Sequence, residues 1–146
     1  MTDDTPPLLQ TAAEVRMAVF RLTRRLRGIR AAESISDAQL GALAALALHG
    51  RYTLSALAEH ERVTAPTMST IVAGLVDLGY VTRIPDEHDR RRVQVEITEA
   101  GVAIVDETVR RRDARLADLL DGLDLDQNQL DALREAAAVL RRLAER

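Results

Sequence analysis

The chain has 146 residues, of which 47% are hydrophobic and 29% charged, with a formal net charge of −3 and no cysteine. That length suits one domain with helical extensions, and the absent cysteines exclude disulfides, thiolate metal sites and thiol redox sensing. No run reaches the ~18–20 apolar residues of a membrane span, and the opening M-T-D-D-T-P-P lacks the basic and apolar regions of a signal peptide, so a soluble cytoplasmic protein without membrane contact is expected. A P-loop, a dinucleotide glycine fingerprint, H-E-x-x-H and a cysteine nucleophile are all missing from the sequence, which argues against an enzyme and calls for no cofactor.

Residues 1–7 are expected to be a disordered tail. From there Leu8, Ala12, Val15, Val19, Leu22, Leu26 and Ile29 alternate at spacings of four and three, the heptad seam of a long helix that wants a partner helix. Gly28 and the Ser34–Ser36 region interrupt it. Ser36 with Gln39 forms a capping box that starts a second helix through His49, ended by Gly50. Thr53 is the N-cap of a short helix, Leu54 to His60. Thr64 caps the next helix, which has Pro66 in its first turn, Met68, Ile71, Val72, Leu75 and Val76 at helical spacing, and Gly79 at C′.

Two helices joined by a short turn lead directly into a hairpin. Val81 to Pro85 reads as a strand and Asp86 to Asp89 as a turn, with Arg90, Arg91 and Arg92 at the tip. Val93, Val95 and Ile97 then alternate with polar residues along a half-buried returning strand. Thr98 starts a long helix whose buried side is expected at Val102, Val105, Val109, Leu116, Leu119, Leu120 and Leu123. After Gly122 a last helix carries Leu130, Leu133, Ala137, Leu140 and Ala144. This is the order of a winged helix-turn-helix. Neither terminal helix has enough of the winged domain beside it to cover its stripe, so the two ends are expected to pair with each other and with a second copy.

Charge is unevenly spread. Residues 8–33 hold six Arg against two Glu, residues 117–131 hold five Asp and no basic residue, and all twenty basic residues are Arg. Arg forks onto phosphates and enters narrow grooves better than Lys, although the coding bias of a GC-rich genome is the simpler explanation.

The order of elements, with Leu54-Ser-Ala-Leu-Ala58, Thr64-Ala-Pro-Thr-Met-Ser69, Gly79-Tyr-Val-Thr-Arg83 and the stretch from Asp86 to Gly101, closely resembles the MarR family of bacterial transcriptional regulators. The D-x-x-D-R-R tip followed by V-x-V-x-I-T-E-A-G is its most specific part. The resemblance implies a mainly α fold with a small β-hairpin wing (α+β), in which residues 35–101 form the winged helix-turn-helix and residues 8–34 and 102–146 form a helical dimerisation layer. It implies a homodimeric, sequence-specific regulator of transcription, a repressor released by a small-molecule effector, acting on a pseudo-palindromic double-stranded operator.

The resemblance assigns Thr64 to Leu78 as the recognition helix, presenting Ala65, Thr67, Met68, Ser69 and Thr70, with Thr64 at its start, to the major groove. Arg91 is the wing arginine for the minor groove, Asp89 holds it, and Arg90 lies beside it. An effector pocket is implied near Arg16, Met17, Phe20 and His49. One departure matters: the recognition segment has no basic residue and Asp77 as its single charge. A bidentate Arg to guanine is therefore not available from it, and phosphate contact falls to the wing, Arg83, Arg62 and Arg51.

Two other readings stay open. The net charge and the uncharged recognition helix fit a winged-helix adaptor that binds protein without a ligand response. A metal-responsive regulator is the weaker alternative, because His49, His60 and His88 stand 11 and 28 residues apart without an i, i+4 pair.

Overall fold

A computed structural model describes residues 7–89 and 92–145. It divides into two compact units, with the boundary between Arg112 and Asp113. The first holds α1 (Pro7–Arg27), α2 (Asp37–His49), β1 (Tyr52–Thr53), α3 (Leu54–His60), α4 (Ala65–Asp77), β2 (Val81–Pro85), β3 (Val93–Ile97) and most of α5 (Glu99–Asp121). The end of α5 and all of α6 (Gln127–Ala144) make up the second.

The helix starts follow local chemistry. At α2 the Ser36 hydroxyl accepts from the Gln39 N–H at 3.1 Å and the Gln39 side chain accepts from the Ser36 N–H at 2.9 Å. This reciprocal pair satisfies two donors that a helix N-terminus otherwise leaves without partners. Thr53 caps α3 and Thr64 caps α4 in the same sense. Asp126 and Gln129 form a second full capping box at α6, which the sequence reading did not single out. At its other end α4 closes on Gly79 at φ 76°, a left-handed position where a side chain would be strained.

α1 begins at Pro7, one residue inside the expected tail, as suits proline's fixed φ in a first turn. It ends at Arg27, so Ile29, the last member of the seam, lies in the following turn.

The sheet has three strands in the order β1-β3-β2, all antiparallel. The expected hairpin is β2 and β3, with Val81 opposite Ile97 and Pro85 opposite Val93. The added strand is β1, where Tyr52 pairs with Val95 and Thr53 with Gln94. Two residues have no periodicity to display, so β1 is invisible in sequence. It joins the wing to the helix-turn-helix by main-chain bonds.

The core lies within the winged unit. Leu43, Leu46, Leu57, Met68, Val72, Leu75, Val81 and Val95 are buried together. Met68, Val72 and Leu75 follow one another at spacings of four and three, which puts them on one face of α4. Met68 therefore belongs to the core, which corrects its expected place in the major groove.

α5 also departs from expectation. Gly101 and Thr108 are its buried residues and Ile104 and Val105 are partly buried, whereas Val102 is 37% and Val109 51% exposed. The buried face runs 101, 104, 105 and 108, shifted by one position because Gly101 lets the helix approach the chain at Tyr80. A Cβ at Gly101 would stand 2.3 Å from the Tyr80 carbonyl oxygen. Thr108, a polar residue that a search for apolar spacing passes over, accepts a hydrogen bond from the Ala31 N–H at 3.0 Å.

Met68→Ala should lower unfolding stability by about 2–5 kcal/mol through cavity formation, while Ser69→Ala on the exposed side should change it by less than about 0.5 kcal/mol. Urea denaturation of the two variants beside the parent protein tests the assignment, and equal effects would refute it.

Candidate nucleic-acid interface

The turn between α3 and α4 is tight. The Arg62 N–H donates to the Glu59 carbonyl at 3.1 Å and the Val63 N–H to the Ala58 carbonyl at 3.0 Å. Arg62 itself takes φ 55°, an uncommon left-handed conformation for a residue with a Cβ, and its side chain is exposed.

Thr64, Ala65, Thr67, Ser69 and Thr70 are all exposed, opposite the buried Met68 face. Their hydroxyls are not equivalent. The Thr64 and Thr67 oxygens share one hydrogen bond at 2.8 Å, and Thr70 donates to the Pro66 carbonyl at 3.2 Å. Thr70 is thereby left with acceptor capacity, whereas the Ser69 hydroxyl has no partner among the described residues and can either donate or accept. The face is made of hydroxyls and methyls, which suits base edges and the thymine methyl.

Cations surround this helix but do not lie on it. Arg83 on β2 is exposed and has no ion pair among the described residues. Arg51 differs: its Nε and one terminal nitrogen both lie 3.0 Å from Glu96 Oε1. It spans the β1 and β3 edges, half-exposed, with its charge shared with Glu96.

The wing turn is organised by one carboxylate. Asp86 accepts from the N–H groups of His88 at 2.8 Å and Asp89 at 3.1 Å, and from the Gln94 side-chain amide at 2.8 Å. The His88 N–H, then Gln94, then the Asp89 N–H hold its carboxyl below the ordinary value of 3.8, because each donor favours the ionised form. Main-chain bonds between Asp86 and Arg92 at 2.9 Å and between Arg92 and Asp89 at 2.8 Å close the turn. Asp89 Oδ2 stands 3.9 Å from Arg92 Nε. Arg90 and Arg91, the expected groove-reading pair, lie outside the described residues, and with them the expected contact from Asp89 to Arg91.

Ser55 was not among the expected DNA contacts, and Arg92 entered only as one of the wing arginines. Both line an open cavity of about 450 Å³ together with Thr53, Leu54 and Val93. The signal in sequence was the third arginine of the tip, but its juxtaposition with the start of α3 depends on the β1–β3 pairing.

Of the expected effector residues, three share one turn of α1 and the fourth, His49, ends α2. Arg16, Met17 and Phe20 are exposed on α1. Phe20 lines a cavity of about 340 Å³ whose other walls, Thr23, Arg24 and Arg27, are also α1 residues. The His49 ring is packed elsewhere, 5.3 Å from the His60 ring and 6.3 Å from that of Tyr52, because it ends α2 beside β1 and the end of α3. A cavity of about 370 Å³ instead lies among α1, α2 and α5, lined by Leu26, Arg27, Asp37, Leu40, Ala44 and Arg112 among others.

A helix-turn-helix whose second helix shows a polar exposed face, followed by a three-stranded wing, defines a winged helix-turn-helix protein of the DNA-binding class. The chain belongs to the MarR family of transcriptional regulators, and so is a regulator and not an enzyme. A MarR family model matches residues 34–92. The chain is 38% identical over 134 residues to an uncharacterized HTH-type transcriptional regulator of Mycobacterium bovis and equally to an HTH-type transcriptional regulator of Mycobacterium tuberculosis, covering 92% of both chains in each case. Among solved structures it is similar to a transcriptional regulator of Pseudomonas aeruginosa, with 29% identity, a TM-score of 0.83 and coverage of 97% and 98%. A likeness of fold extends to FabT of Streptococcus pneumoniae, solved in complex with DNA, at 21% identity and a TM-score of 0.65 over 94% and 97% of the chains. No helix among the described residues is long and apolar enough to cross a membrane.

Asp86 should titrate with a midpoint below 3.8 when followed by carboxyl carbon NMR, and Gln94→Leu should move it upward. Because the folded value is depressed, the staple supports the wing above the carboxyl's unfolded value and is lost as pH falls through the folded one. A midpoint at or above 3.8 would refute the staple.

Proposed function

We propose that the protein is a homodimeric repressor that occupies a pseudo-palindromic duplex and leaves it when a small-molecule effector binds. One observation carries the DNA reading: α4 exposes an uncharged hydroxyl and methyl face while the exposed cations Arg62 and Arg83 stand in the turn before it and on the strand after it. The FabT complex with DNA supports the same use of the fold. In this division of labour α4 discriminates bases, and Arg62, Arg83, Arg90, Arg91 and Arg92 hold the backbone and minor groove. Such a protein works where the genome is, in the cytoplasm.

The dimer reading is supported by uncovered apolar surface. No residue of α1 is buried, and Leu8, Leu9 and Phe20 are 81%, 61% and 58% exposed. α6 likewise buries none of its residues, leaving Val139 and Leu143 at 54% and 60%. A monomer rarely leaves so much apolar surface in water, and a second copy, joined through residues 8–34 and 102–146, would cover it. An effector reading draws on the cavity among α1, α2 and α5, where Leu26, Leu40 and Ala44 stand beside Arg112 and the Arg27–Asp37 pair, which suits a small compound with an apolar body and a polar end. Effector and operator would then weaken each other by the same factor.

Gel-shift titration on the protein's own promoter region should show a steep salt dependence. Arg91→Ala should weaken binding while the dimer stays folded, and Arg92→Ala should reduce the slope of log K against log salt by about 0.9 if it neutralises one phosphate. Affinity independent of salt would instead favour the adaptor. Light scattering at micromolar concentration should give the dimer mass, and a monomer would overturn the assembly.

A further inference from the structure

The sequence scatters its three histidines, but the fold brings two of them together. His49 is the last residue of α2 and His60 the last of α3. Their ring centres are 5.3 Å apart, and Tyr52 packs against both, with its ring centre 6.3 Å from His49 and 5.6 Å from His60. Both imidazoles are exposed. Each also sits at the carbonyl end of its helix, where the backbone dipoles favour a positive charge.

We propose that His49 and His60 together bind a divalent transition-metal ion of the copper or zinc type. Two observations carry the proposal together: the spacing of the rings and the Glu61 contact that leaves Nε2 of His60 open. With metal–nitrogen bonds of about 2.0–2.1 Å and a ring centre about 1.1 Å beyond the nitrogen, two imidazoles at a tetrahedral angle on one ion have centres about 5.2 Å apart. The observed spacing is 5.3 Å.

A second feature prepares His60 as a ligand. Its Nδ1 lies 3.1 Å from Glu61 Oε1, and since a carboxylate can only accept, Nδ1 is the donor and Nε2 keeps its lone pair. This carboxylate–imidazole relay orients metal-bound histidines and makes them more basic. The other Glu61 oxygen lies beside Gly41 of α2, where a Cβ would stand 2.6 Å from it.

Among the described residues no cluster of three or more His, Asp and Glu side chains converges on one point. Water therefore completes the shell, and the site is an open, exchangeable one that favours copper over zinc. An ion there would tie the end of α2 to the end of α3, immediately before the turn that leads into α4. This site stands apart from the DNA reading, and its test does not depend on an operator.

Untagged protein titrated with copper(II) and with zinc(II) in the calorimeter should bind one ion per chain. His49→Gln and His60→Gln should each weaken that binding at least about tenfold, while His88→Gln, on the wing, leaves it unchanged. In the unaltered protein, sub-stoichiometric copper(II) should broaden two of the three histidine ring resonances together and spare the third. The proposal is overturned if either pair variant loses less than tenfold, if His88→Gln loses as much as they do, or if the two resonances do not broaden together.

Discussion

The main-chain carbonyls of Gly79 and Tyr80 join the three parts on which the proposed recognition depends. The Tyr80 carbonyl accepts from the Thr98 N–H at 3.0 Å and the Gly79 carbonyl from the Thr98 hydroxyl at 2.7 Å. The same hydroxyl caps α5 by accepting from the Gly101 N–H at 3.1 Å, and Gly101 admits the Tyr80 carbonyl where any side chain would collide with it. The end of α4, the start of β2 and the start of α5 are therefore set by one small knot. A wing is useful only if its aim relative to the recognition helix is constant, and here that aim is fixed by backbone geometry.

The second constraint is electrostatic. A helix without cations offers no Coulomb attraction to phosphate, so on the proposed reading affinity enters from its neighbours, where some arginines are exposed and others are paired. Arg51 pairs with Glu96 at 3.0 Å, linking the start of β1 to β3. Arg30 lies 3.2 Å from Asp37 in charge contact without hydrogen-bond alignment, and it donates to the Ile35 carbonyl at 2.7 Å. Arg111 and Arg112 donate to the carbonyls of Arg30 and Ile29 at 3.2 and 3.1 Å. Glu107, whose carboxyl is held below its ordinary range first by the hydrogen bond from Arg111 and then by the charges of Arg110 and Arg111, steadies that clamp. The clamp attaches the turn after α1 to α5, next to the Arg30–Asp37 contact at the start of α2.

Much of this was legible in advance because it is local. Ser36 with Gln39, Thr53, Thr64 and Gly79 announce helix ends through bonds that span at most a few residues. The alternation of Val93, Val95 and Ile97 announces a strand, and the heptad spacing of α1 announces a stripe that the single chain does leave uncovered. The exposed hydroxyl face of α4 followed once the helix was placed, except that Met68 was assigned to it. An amphipathic helix shows its period in sequence, and Met68 shares that period with Val72 and Leu75, so its place in the core follows from the spacing and not from the family's contact pattern.

What sequence determined by itself, then, was the set of elements, their order and the MarR-family winged architecture, because capping, turn and periodicity signals act between near neighbours. Tertiary structure alone decided the rest: the strand Tyr52–Thr53, the commitment of Arg51 to Glu96 and the one-residue shift of the buried face of α5. It also brought together Arg92 with Ser55, and His49 with His60. Each of these joins positions far apart in the chain, and no rule of spacing specifies such a contact until the core has closed around Leu57, Met68 and Val95.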